Sequence, residues 1–255
     1  MKISLFILLT VLITMNIALA RKVGETEITT DDGIEVFQNE KYYLLNTNVK
    51  IVSDSFKLSG DKIKIFFNND LYDINIIDGE GNIKLESEIY KINANSEKLI
   101  FKVENEEINL QGLNSRLITD EIEMFSDEEI NVNNSNGNFY INGLNSALKS
   151  DTVLIQGKKI EGVFDNSQDT KEIIILNVFD EDLAYTKTNN TEMYANIINY
   201  NRKNSLIELE NNVKIIRDGE IITGDYGTLN METNSYKVKS KDSKKVKVII
   251  SNQDE

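Results

Sequence analysis

From Thr26 onward apolar and polar positions alternate in short runs: GIEVFQ, YYLLNTNVKIV, DKIKIFF, EIYKIN, EKLIFKV, NSLIELENNVKII and KKVKVII. A period of two, carried by β-branched and aromatic residues, predicts strands with one face buried. Turn signals separate the runs: Asp32-Gly33, Asp78-Gly79, Asn136-Gly137, Asn142-Gly143 and Asp218-Gly219. No segment after residue 20 sustains the apolar stripe of a helix. Strands recurring every roughly 8–12 residues predict a sandwich, barrel or roll. The expected fold class is all-β.

The runs also repeat. NVKIVSDSFKLSGD (Asn48–Asp61) returns as NVKIIRDGEIITGD (Asn212–Asp225), and GLNSRLITD (Gly112–Asp120) as GLNSALKSD (Gly143–Asp151). Each unit reads as an apolar strand, a kink at Gly or Ala-Asn, and a second apolar strand. Such a unit cannot bury its apolar face alone, so stacked neighbours must complete the core. The repeats mark out one roll over residues 21–250, with units near 26–83, 84–164 and 172–250 and a tail at 251–255. The weak break is FDNSQDTKE (Phe164–Glu172).

Composition narrows the chemistry. The chain has no Cys, His, Trp or Pro and a net charge of −14. Without Cys there are no disulfides, thiolate nucleophiles or Cys-based zinc sites. Lacking His, it has no imidazole ligand or neutral-pH base, and a Ser-His-Asp triad is excluded. The acidic field repels nucleic acid. At the front, MKISLFILLTVLITMNIALA has an early Lys2, an apolar run and Ala18-Leu19-Ala20 before Arg21. Those are the parts of a secretory signal covering residues 1–20, with cleavage near Ala20. Retention of the same run as a membrane anchor is the alternative.

The segments ITTDDGIEVFQNEKYYLLNTNVKIVSDSFKLSGDKIKIFF and MYANIINYNRKNSLIELENNVKIIRDGEIITGDYGTLNMETNSYKV carry a resemblance. In the second, Ala195, Tyr200, Leu206, Asn212-Val213, Gly224-Asp225 and Tyr236 follow in order. The chain resembles the periplasmic lipopolysaccharide-transport family LptA, also called OstA-like. The resemblance implies a V-shaped, open β-jelly roll with a greasy interior, made longer here by the units between about residues 84 and 164. It implies a non-enzymatic carrier of lipopolysaccharide in the periplasm, without cofactor. Its copies stack head to tail as a bridge between an inner-membrane export complex and an outer-membrane translocon. A membrane-anchored adaptor of the same fold, LptC-like, is the alternative.

Alternation nominates Ile28, Val49, Ile51, Phe56, Leu58, Ile63, Ile65, Val213, Ile215, Ile222, Leu229 and Met231 for a lipid groove. Ordinary core packing is the other reading of the same faces. Val246, Val248 and Ile250 share one face of the last strand and nominate a self-assembly edge, basic where the first strand is acidic. The paired Gly60-Asp61 and Gly224-Asp225 invite a carboxylate mechanism, but recurrence at one place in two repeats fits a structural kink better. The acidic runs SDEE and DED lack the ligand spacing of a calcium loop. Lys50, Lys57, Lys62 and Lys64 form a local basic cluster suited to lipid phosphates or to blunting an edge.

Overall fold

The computed structural model describes residues 23–69, 73–150, 153–165, 172–188, 190–241 and 245–250. The signal segment and the C-terminal tail lie outside these residues. Among the described residues no helix is long and apolar enough to cross a membrane.

Twenty strands join into one continuous antiparallel sheet. The chain climbs as a meander of rungs. Four long strands open it: β3 (Tyr42–Val52), β4 (Lys57–Phe67), β5 (Ile74–Ser87) and β6 (Ile92–Lys102). They are preceded by a broken first rung, β1 (Glu27–Thr29) and β2 (Ile34–Phe37), paired to the two halves of β3. In the middle each rung is two short strands: β7 (Glu107–Gln111) with β8 (Ser115–Ile118), β9 (Glu123–Ser126) with β10 (Glu129–Asn133). The next two are β11 (Asn138–Asn142) with β12 (Ala147–Lys149), and β13 (Val153–Gln156) with β14 (Lys159–Phe164). Long rungs then resume with β15 (Ile173–Thr188), β16 (Thr191–Asn201), β17 (Leu206–Arg217) and β18 (Glu220–Asn230). The last rung is split again into β19 (Ser235–Lys239) and β20 (Lys247–Ile250), paired to the two halves of β18.

Every rung bends at its middle, where the register slips. The shifts fall between Asn46 and Val49, Glu80 and Ile83, and Glu210 and Val213. At these three bends a residue pair takes the left-handed conformation: Thr47-Asn48, Gly81-Asn82 and Asn211-Asn212. Asn tolerates that conformation better than other residues with a side chain. Its amide also ties the bend to the neighbouring rung. Asn48 donates to Asp31 at 2.6 Å, Asn82 to Asp61 at 2.8 Å, Asn145 to Asp127 at 2.9 Å and Asn212 to Asn196 at 2.7 Å. A polar ladder thus runs along the fold line. It converts one long sheet into two facing walls, the open V-shaped roll expected from the sequence.

The Gly-Asp dipeptides belong to this line. A Cβ on Gly60 would meet Ile83 at 2.6 Å, and one on Gly224 would meet Val238 at 2.6 Å. Glycine is required because a neighbouring rung's side chain fills the inner angle of the bend. Asp61 and Asp225 face outward and accept hydrogen bonds, from the Asn82 amide and from the Lys241 N–H at 2.8 Å. Their recurrence is architecture.

The core lies between the walls. Leu45, Ile63, Ile65, Ile77, Leu99, Leu110, Ile130, Ile141 and Ile160 come from one wall; Val49, Ile83, Met124 and Leu148 from the other. Tyr43 against Phe67 (5.5 Å between ring centroids) and Phe139 against Phe164 (4.3 Å) pack the space toward the rims.

Candidate functional site

The packing between the walls changes at β15. On one wall the inward positions of β15 and β16 are Ala184, Thr186, Thr188, Thr191, Met193 and Ala195, all small apart from Met193. Elsewhere that wall carries residues such as Ile83, Leu85, Met124, Leu148, Ile155 and Ile215 at equivalent places. The smaller side chains do not reach the opposite wall. Between them a cleft of about 510 Å³ opens along the mouth of the V, within the range of small-molecule sites.

The cleft has two unlike sides. Ile173, Leu176, Ile198, Tyr200, Ile207 and Met231 make an apolar face from the inner surfaces of β15 to β17 and the turn after β18. Opposite stand Val153, Ile155, Thr186 and Thr188, with Ile122 and Ser150 from the adjoining turns. Glu121 and Glu172 sit on the lips, and Glu172 forms an ion pair with Arg202. Tyr200 is held above its ordinary pKa chiefly by burial, with the Glu172 carboxylate adding and the Arg202 guanidinium opposing. No charged side chain reaches the floor, so an apolar chain fits there and an anionic head does not.

The residues nominated from sequence divide between core and rim. Val49, Ile51, Leu58, Ile63, Ile65, Val213, Ile215, Ile222 and Leu229 are buried between the walls, while Ile28, Phe56 and Met231 are partly buried against that core. Met231 is the one of this set that lines the cleft. The others place the walls rather than the opening. Sequence reasoning missed Ile173, Leu176, Ile198, Tyr200 and Ile207, which lie on runs of the same alternation. The available signal was the series of small inward residues Ala184, Thr186 and Thr188 within LAYTKTNN.

The end rungs are also informative. Val248 stands opposite Ile222 and therefore faces inward, yet 51% of it is exposed because no rung covers it among the described residues. Val246 and Ile250 are exposed as well. At the other end Ile34 and Val36, opposite Leu45 and Tyr43, are bare for the same reason. Lys64 of the basic cluster lies over the Tyr42 and Phe66 rings, at 4.4 and 5.5 Å from their centroids. Among the described residues no three carboxylates gather closely enough to hold a metal ion.

Comparison with known proteins follows from this geometry. Residues 27–138 match the family described as LptA/(LptD N-terminal domain) LPS transport protein. Among solved structures, the chain is similar to LptH from Pseudomonas aeruginosa. That protein is described as the LptA homologous periplasmic component of the conserved lipopolysaccharide transport device. The identity is 14%, the match covers 51% of this chain and 94% of that one, and the TM-score is 0.42. No curated protein matches the sequence. Over residues 27–138, somewhat under half of its length, the chain is thus similar to that family.

Proposed function

We propose that this chain carries lipopolysaccharide across the periplasm without chemistry of its own, holding acyl chains between the two walls. The observation that carries this reading is the apolar cleft along the mouth of the V. Each acyl CH2 taken from water contributes roughly 0.8 kcal/mol, so a lipid is held without any catalytic group. An opening along the side, rather than an enclosed cavity, suits a cargo that must slide on to the next carrier.

The end rungs supply the partner side of the proposal. Each leaves inward apolar residues uncovered, and its outer edge has no pairing strand among the described residues. Another copy, or an Lpt component of like fold at either membrane, would complete both the ladder and the core. Lys245 and Lys247 at one end face Glu27, Asp31, Asp32 and Glu35 at the other. Charge therefore favours head-to-tail contact.

The test uses a photo-crosslinking residue in cells. Capture of lipopolysaccharide is expected at Tyr200 and Met231, and none at Asn199, whose side chain points out of the wall. Equal capture at all three sites would refute the inward lipid path. For the bridge, Val248→Pro removes a ladder donor. The variant should stay folded and lose the concentration-dependent association of the wild type in light scattering. A wild type that never associates would sink the end-to-end bridge.

A further inference from the structure

The cleft holds a detail that a purely apolar cargo leaves unexplained. Thr186 and Thr188 are 3% and 6% exposed and line the cleft. Neither hydroxyl has a hydrogen-bond partner among the described residues. In the register of the walls Thr186 sits between the apolar Ile155 and Met193, and Thr188 between Val153 and Thr191. The neighbours show that the position accepts apolar side chains. Val would occupy the same space as Thr and leave no polar atom to satisfy. A hydroxyl placed two residues from another, on one inward face, asks for a partner.

We infer that Thr186 and Thr188 are specificity-determining residues that select an acyl chain bearing a hydroxyl over a plain hydrocarbon chain. The inference rests on the lipid-carrier reading of the cleft. Without lipid, water satisfies the two hydroxyls. A plain chain displaces that water and offers nothing in return, which loses affinity. A hydroxylated chain restores a donor and an acceptor at the same depth while its methylenes cover Ile173, Leu176 and Ile198. The two sides of the cleft thus read the two sides of such a chain. The acidic lips Glu121 and Glu172 contribute nothing to this choice and oppose an anionic head, so the test uses uncharged esters.

Purified full-length protein is loaded with a fluorescent apolar probe, which is then displaced by methyl tetradecanoate or by its 3-hydroxy counterpart. The hydroxylated ester is expected to compete about two- to tenfold more strongly, the range of one added hydrogen bond. In a Thr186→Val, Thr188→Val double variant the preference should vanish, with the plain ester binding as well as before or better. Thr186→Ser in the wild-type background should keep the preference. The single Thr188→Val variant, expected to show a reduced preference, serves if the double variant does not fold. Equal competition by both esters in the wild type would overturn this inference and leave the carrier reading standing. Failure of either ester to displace the probe would overturn both.

Discussion

The rungs before β15 and the rungs around β15 and β16 share one architecture and differ in what stands between their walls. In the first region Tyr43, Phe67, Phe101, Phe139 and Phe164 crowd the inner rim against bulky residues opposite, and the space is core. In the second, Ala184, Thr186 and Thr188 face Leu176, Ile198 and Tyr200 without reaching them, and the space is a cleft. Backbone bends, cross-rung Asn ties and strand pairing are alike in both. The inward side chains, rather than the backbone, separate the packed stretch of the roll from the open one. A repeat protein can therefore place a binding cleft anywhere along its length by changing a few inward residues, with no change of fold.

The most severe way to break the comparison is to empty the packed region. Phe139→Ala removes a buried ring that stacks on Phe164 at 4.3 Å. Cavity formation at such a site costs about 3–5 kcal/mol, read as a lower urea midpoint. If the variant folds, the new cavity should bind an apolar probe at a second place. A loss below about 1 kcal/mol would mean that aromatic volume does not hold this region shut.

The converse change fills the open region. Thr186→Phe puts a ring into the gap from the wall that lacks one. Binding of an apolar probe should weaken by about tenfold, or ~1.4 kcal/mol. Stability should stay within about 1 kcal/mol of wild type, since the added ring occupies existing space. Unchanged probe affinity in a folded variant would place the binding site elsewhere.

Much of this was legible in the sequence, and the rest failed for a definite reason. Alternation identified the strands and their inward faces, and the recurring Gly-Asp pairs marked a kink. That Val246, Val248 and Ile250 share one face was also readable from their alternation. The cleft was not. Alternation says that Val213 and Thr186 both point inward, but not what each meets across the gap. That depends on how a side chain of β15 faces one of β17 or of the turn after β18, which no local pattern encodes. The clue lay in residue size along a single face, at Ala184, Thr186 and Thr188.

The finest distinction between the two regions is electrostatic. Tyr140, on the outer face of the packed region, is pushed up to about 12 by burial and by the Glu129 carboxylate that accepts its hydroxyl at 2.8 Å. Tyr200, in the cleft, is raised mainly by burial. In both cases the folded protein keeps the phenol proton at a pH where the unfolded chain, titrating near 10, has already released it. Each group's contribution is complete below that pH and is lost as pH rises through the folded value, so stability falls across the alkaline range. Tyr194, Tyr226 and Tyr236 shift the same way and steepen the decline. Tyr200→Phe should leave melting at pH 8 unchanged and make the fall above pH 10 shallower, an effect expected to be small because the ring is only partly buried. The cleft adds a second readout. A phenolate at Tyr200 places charge against the bound chain, so probe affinity should drop above pH 10 in the wild type and hold in Tyr200→Phe. Tyr140→Phe should flatten the stability profile likewise but leave probe affinity tracking the wild type. If the two variants lose or keep alkaline probe binding together, Tyr200 does not face the ligand and the cleft has been drawn on the wrong side of the wall.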